Sequence, residues 1–212
     1  MIKYYFTFIV ILQVTLTANG QEKILSTKGN EKLTIRANKP DKIENGYYTN
    51  GELNWRIKIL EGTTIDDADY WNNLSDKGYK EIKKTSPLIN TNRSHLIGFK
   101  FNNQNSFTVS FNPMPENKIT LKEHERSFLD VLNKSLSQIK GARFEQSQSN
   151  LKLGNFNFYR IKIEGYNAQN QLVLSQIYYN SIIGDKLFSS LITYNESEKG
   201  KSMEDNFISS WN

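Results

Sequence analysis

The chain has 212 residues, a length that suits one domain and is short for two. Hydrophobic residues make up 37% and aromatics 12%, enough for a core, which argues against a disordered chain. No cysteine and only two histidines, His95 and His124, are present, which excludes disulfide frameworks, thiolate zinc sites, cysteine nucleophiles and three-imidazole sites. The formal charge of +5 is spread among acids, as in Glu22-Lys23, Glu31-Lys32 and Glu198-Lys199. Without a basic stripe or a recognisable module, this reads as a solvated mixed-charge surface, with no nucleic-acid partner.

Residues 1–20 read as an address. Lys3 supplies the charge, and residues 6–16 an apolar run interrupted by Thr7, Gln13 and Thr15. Ala18-Asn19-Gly20 then supplies a small-x-small triplet. That order is a secretory signal, cleaved after about Gly20. A membrane span needs about 20 apolar residues, roughly twice this run. No cysteine follows for a lipid. The mature chain is therefore expected to be exported, periplasmic or secreted, without a stable membrane anchor.

Residues 21–44 are polar apart from Leu33-Thr34-Ile35 and read as an arm, with a single domain over 45–212. A hairpin is expected over 47–61, turning at Asn50-Gly51, with Trp55 and Ile57 alternating against Arg56 and Lys58. A short helix over 66–76 follows, capped by Asp66 or Asp67 and stopped by Gly78. A loop is expected over 86–94. Ile97, Phe99 and Phe101, then Phe107, Val109 and Phe111, predict a second hairpin.

Residues 120–139 are the clearest helix. Thr120 and Glu123 match a capping box; Leu121, Phe128, Leu129, Leu132, Leu136 and Ile139 form one stripe, and Gly141 ends it. Strands are expected over 156–165, with a bulge near Phe158, then 172–182 and 187–194. A last helix over 203–211, capped by Ser202, carries Met203, Phe207, Ile208 and Trp211 on its apolar side. The expected class is α+β: an antiparallel sheet flanked by helices on both faces, a three-layer α/β/α sandwich.

The helix ITLKEHERSFLDVLNKSL, the strands YRIKIEGYN and VLSQIYYNSIIGDKLFSSLITY, and the terminal SMEDNFISSW together resemble the PsbP/Mog-like α/β/α sandwich superfamily. The resemblance spans roughly residues 98–211 and is one of pattern. It implies a non-catalytic role, since members mostly bind other proteins or support assemblies, exported bacterial members included. It brings no shared catalytic residues.

The residues themselves offer little chemistry. No Gly-rich phosphate loop, Gly-x-Ser-x-Gly or His-Glu-x-x-His is present. His124 lies between Glu123 and Glu125, but neighbours on a helix point apart, so it is expected at the helix surface rather than as a ligand. His95 precedes a strand with no carboxylate nearby in sequence. Asp66, Asp67 and Asp69 fail the calcium-loop pattern, because Trp71 and Asn72 fall where an oxygen ligand and a glycine are needed. No catalytic residue, metal or cofactor is expected.

Aromatics stand out. Tyr47, Tyr48, Trp55, Tyr70, Trp71 and Tyr79 crowd one stretch and form the candidate binding surface. The competing reading has them filling the seam between hairpin and sheet. The functional expectation is an exported, non-catalytic binding or assembly module whose partner is another envelope or secreted protein. The alternative is a carrier of a small apolar ligand, or a small hydrolase, with its site between the sheet and the first hairpin. An all-β carrier barrel is a third reading.

Overall fold

Two antiparallel sheets carry the fold in the computed structural model, which describes residues 41–65, 94–114 and 119–212. The signal-like segment, nearly all of the polar arm, the helix expected over 66–76 and most of the loop expected over 86–94 lie outside the described residues.

The smaller sheet contains β1 (Lys42–Glu44), β2 (Tyr47–Asn50) and β3 (Trp55–Lys58). Its tight turn is Asn45-Gly46, with φ of 51° and 73°, the left-handed pair that a two-residue hairpin loop requires. The expected Asn50-Gly51 turn is displaced. Asn50 is the last residue of β2, pairs with Trp55, and the chain turns over 51–54. The Asn50 amide closes that loop, accepting from the Leu53 N–H at 2.8 Å and donating to Asp41 at 2.9 Å.

The larger sheet contains β4 (Thr64–Ile65), β5 (Ser94–Asn102), β6 (Asn105–Pro113), β7 (Arg143–Leu153), β8 (Phe156–Tyr166), β9 (Leu172–Ile183) and β10 (Lys186–Tyr194), in the order β4-β5-β6-β10-β9-β8-β7. Pairing of β10 with β6 joins the second hairpin to the later meander. Helix α1 (Leu121–Leu136) lies between them in the chain, and α2 (Ser197–Ser209) follows the last strand.

Burial explains the strands. On one face, Phe99, Phe107, Val109, Phe158, Ile177, Tyr179, Phe188 and Ile192 of the large sheet pack with Met203 and Phe207 of α2 and with Tyr48, Trp55 and Ile57 of the small sheet. On the other face, Tyr159, Ile161, Ile163, Tyr178 and Leu191 meet Phe128, Leu132 and Leu136 of α1. The bulge expected near Phe158 does not occur, and β8 pairs with β7 in unbroken register. Phe158 serves one apolar layer and Tyr159 the other, so consecutive apolar residues need no slip.

The expected three-layer α/β/α sandwich, with helices flanking the sheet on both faces, is overturned. The molecule is mostly β, with ten strands and two helices among the described residues. The small sheet takes the place of a helical layer on the α2 side, because the alternation in β3 buries Trp55 and Ile57 and leaves Arg56 and Lys58 in solvent.

The Thr120 capping box forms as expected, with the Glu123 N–H donating to the Thr120 hydroxyl at 3.2 Å and the Thr120 N–H donating to the Glu123 carboxylate at 2.7 Å. Helix α2 begins at Ser197 rather than after Ser202, and its N-cap, Glu196, makes no side-chain capping bond. Asn105 substitutes for that cap: its side-chain oxygen accepts the Asn195 and Glu196 N–H groups, each at 3.2 Å. Gly200 lets α2 settle on Tyr194, since a β-carbon there would sit inside contact distance of the ring.

Two expected outcomes follow from this packing. Phe207→Ala empties a fully buried site and should destabilise the fold by about 3–5 kcal/mol, read as a lower urea midpoint. Gly200→Ala should also destabilise, by about 1–3 kcal/mol, because overpacking against Tyr194 outweighs the gain in helix propensity. A raised urea midpoint for Gly200→Ala would refute that close approach.

Candidate functional site

Alternation in β2 and β3 decides where the expected aromatic surface goes. Tyr48 and Trp55 turn inward, at 3% and 2% exposure, whereas Tyr47 faces outward with the Arg56 guanidinium 3.8 Å from its ring centre. Trp55 stacks on Trp211 at 5.5 Å between centroids, meets Phe188 edge-on at 5.7 Å, and donates its indole N–H to the Ser210 hydroxyl at 2.8 Å. Tyr48 donates to Asp41 at 2.7 Å, and burial together with that carboxylate pushes its phenol well above the usual range. Tyr70, Trp71 and Tyr79 lie outside the described residues. Of the six, the structure thus places two in a closed seam and one on the outer side.

The ionisable groups near this seam are tied to one another. The Arg160 guanidinium on β8 donates to Glu204 of α2 at 2.8 Å and to the Tyr179 hydroxyl at 3.1 Å, and Tyr179 itself donates to Glu204. Burial first, then Glu204, raises the Tyr179 phenol. This trio clamps α2 onto the sheet. Among the described residues, no group of three or more histidines and carboxylates is placed to hold a metal ion.

His124 corrects the sequence reading. It is not at the helix surface: it is 3% exposed, faces inward from the first turns of α1, and its ring lies 6.4 Å from that of Phe128. Its Nδ1 has no hydrogen-bond partner, and burial pushes the imidazole down to about 4. His95 lies on β5 opposite Ser110.

The open ground is on the α1 side. α1 covers β8 and β9 and meets the edge strand β7 at Phe144, and two clefts between helix and edge mark out a groove. One end is a cleft of about 640 Å³ between Leu121, Lys122 and Glu125 of α1 and Asn150, Leu151, Lys152 and Asn157 of the β7–β8 hairpin. Burial raises the Glu125 carboxyl, with Lys122 opposing. The other end is a smaller cleft of about 310 Å³ bordered by Asn133, Ser137, Ile139, Phe144 and Gln146 among others. Between the two, the Tyr159 hydroxyl donates to the Gln148 side chain. The groove is absent from the sequence reading because β7, RFEQSQSNLKL, has too few apolar residues to register as a strand. Its remaining signals are the alternating Leu151 and Leu153 and the Gly154-Asn155 turn.

The chain is similar to the solution structure of the cyanobacterial PsbP (CyanoP) from Synechocystis sp. PCC 6803, at 13% identity and a TM-score of 0.47, over 86% of this chain and 96% of that one. No family model matches the chain, and no curated protein does. Among the described residues, no helix is long and apolar enough to cross a membrane.

His124 makes a pH prediction with a definite sign. The unfolded imidazole takes its proton below about pH 6.5, the folded one only near 4. Its contribution is therefore complete above pH 6.5 and is lost as the pH falls toward 4, by about 3 kcal/mol in all. In urea titrations, His124→Leu should lose less stability than the wild-type chain between pH 6.5 and 4. Equal slopes for the two would show that the imidazole is not buried.

Proposed function

We propose that this chain is an exported, non-catalytic binding or assembly module that docks another envelope or secreted protein in the groove between α1 and β7. One observation carries the reading: the groove is open and of mixed polarity. Leu121 and Leu151 lie among Lys122, Lys152, Glu125, Asn150 and Asn157. Apolar contacts within a polar rim suit a protein surface, whereas a small apolar ligand is favoured by an enclosed, mostly hydrophobic cavity. The sequence resemblance to the PsbP/Mog-like superfamily implies the same kind of role. The carrier and hydrolase alternative needs room between the large sheet and the first hairpin. That seam holds Trp55, Trp211, Phe188 and Phe158 ring to ring, so a ligand would have to displace them.

A photo-crosslinking residue at Asn150, in protein recovered from envelope or secreted fractions, should give one discrete adduct with a protein other than a second copy of this chain. The same residue at Lys58, on the far small sheet, should not. Lys122→Glu with Lys152→Glu should weaken the adduct about tenfold while the fold persists by circular dichroism. Indiscriminate labelling at both positions would end the docking proposal. A small molecule retained stoichiometrically in the intact mass would favour the carrier instead. The same spectrum tests export, which requires a mature chain starting at Gln21.

A further inference from the structure

Among the described residues, the sheets end in four edge strands of unequal exposure to pairing. β1 is three residues long and β3 four, short enough to offer a stray strand little; β4 is two residues long and pairs only with Phe99 and Lys100 of β5, a strand broken by register shifts between His95 and Ile97 and between Lys100 and Asn102. β7 differs. It runs for 11 residues, contains no proline or glycine, and keeps unbroken register with β8, so no bulge turns its outer side away. Its charges, Arg143, Glu145 and Lys152, stand toward the two ends, and the central Gln146-Ser147-Gln148-Ser149-Asn150-Leu151 carries none. Residues 147–150 are exposed. A long edge with an uncharged middle lacks the usual protections against strand addition.

The residues in that middle indicate what it pairs with. Gln-Ser-Gln-Ser-Asn reads almost alike in both directions. We propose that two copies of this chain join through antiparallel pairing of their β7 strands about a two-fold axis at Gln148. In that register amide meets amide, Gln146 opposite Asn150 of the second copy and Gln148 opposite its equivalent, and hydroxyl meets hydroxyl, Ser147 opposite Ser149. Amides and hydroxyls both donate and accept, so each can bond its counterpart. Further out, Phe144 lies opposite Lys152, Glu145 opposite Leu151 and Arg143 opposite Leu153. No two like charges are opposed or diagonal. Paired residues are both odd or both even, so whichever alternate set directs its backbone groups outward meets the same set in the second copy.

Even-numbered β7 residues share the face of α1: Gln148 reaches Tyr159, and Gln146 and Asn150 border the clefts. Even meets even across the axis, so both α1 helices stand on the same face of one continuous sheet, with the two grooves side by side. The surface is isologous, as a closed two-fold dimer requires. The inference does not depend on the docking role proposed above, because it concerns the purified chain alone.

Sedimentation of the purified full chain over a concentration series up to the millimolar range is the test. Wild-type protein should pass reversibly from one chain mass to two. Ser147→Lys with Ser149→Lys opposes lysines across the axis and should lower the association constant about tenfold or more. Ser147→Glu with Ser149→Glu should do the same. Mixing the two variants sets each lysine opposite a glutamate and should restore the dimer, a rescue that misfolded variants could not produce. Wild-type protein that stays monomeric throughout, a lysine variant that dimerises like wild type, or a mixture that stays monomeric would overturn the proposal.

Discussion

Aromatic packing around Phe188 and Phe207 is the contact on which the rest of this molecule depends. Phe188 touches Trp55 from the small sheet, Phe111 and Phe158 from its own sheet, and Phe207 and Trp211 from α2 and just beyond it, with centroids 5.2–6.3 Å apart. Edge-to-face and offset rings at such spacings add a directional term to their burial. Three units meet here: the small sheet, the large sheet and the last helix. In a chain without cysteine, they are held together by such rings and by a few polar ties. Those ties include Trp55 to Ser210, Asn206 to the Lys58 carbonyl, Lys186 to Glu52, the Arg160–Glu204–Tyr179 trio, and Asn105 beneath the start of α2.

That closed side and the open α1 side divide the molecule's work. On the closed side the seam is filled by rings and tied by the Arg160–Glu204–Tyr179 trio, while the buried Trp211 indole N–H and Ser190 hydroxyl have no hydrogen-bond partner. On the open side, a single helix covers only part of a seven-stranded sheet, meets β7 at Phe144, and among the described residues leaves the outer edge of β7 unpaired. His124 lies on the α1 side. Placed under the first turns of α1 without a partner for Nδ1, it makes this helix the acid-sensitive part of the packing.

Much of the architecture was legible because burial writes itself into period and caps. The alternation of Ile97, Phe99, Phe107 and Val109, the stripe of α1 and the Thr120–Glu123 box each translate directly into what the structure contains. The failures have physical causes. β7 is polar because an edge beyond the helix's cover needs few apolar residues, so alternation could not reveal it. Asn50-Gly51 has the composition of a tight turn, but the pairing of Asn50 with Trp55 uses it as strand and loop closure, while Asn45-Gly46 makes the turn. The start of α2 was hidden because its cap is Asn105, about 90 residues earlier in the chain. His124 was misplaced because a period alone does not say that the sheet reaches under the helix as far as its first turn. The candidate site was the least legible part. A groove is a gap between a helix and a strand that adjoin only in three dimensions, and of the aromatic cluster in the sequence Tyr48 and Trp55 are interior while Tyr47 faces outward.

The position of α2 has a consequence for how the chain acquires its structure. The helix follows every strand it covers, and Trp55 finds its hydrogen-bond partner 155 residues further along. Local hairpins can form early, but the greasy interior of the sheet has no lid until α2 arrives. Pairing of such distant segments is intrinsically slow. A polypeptide built this way cannot close its aromatic interior until its last helix has been made, so the final residues decide when the whole molecule sets.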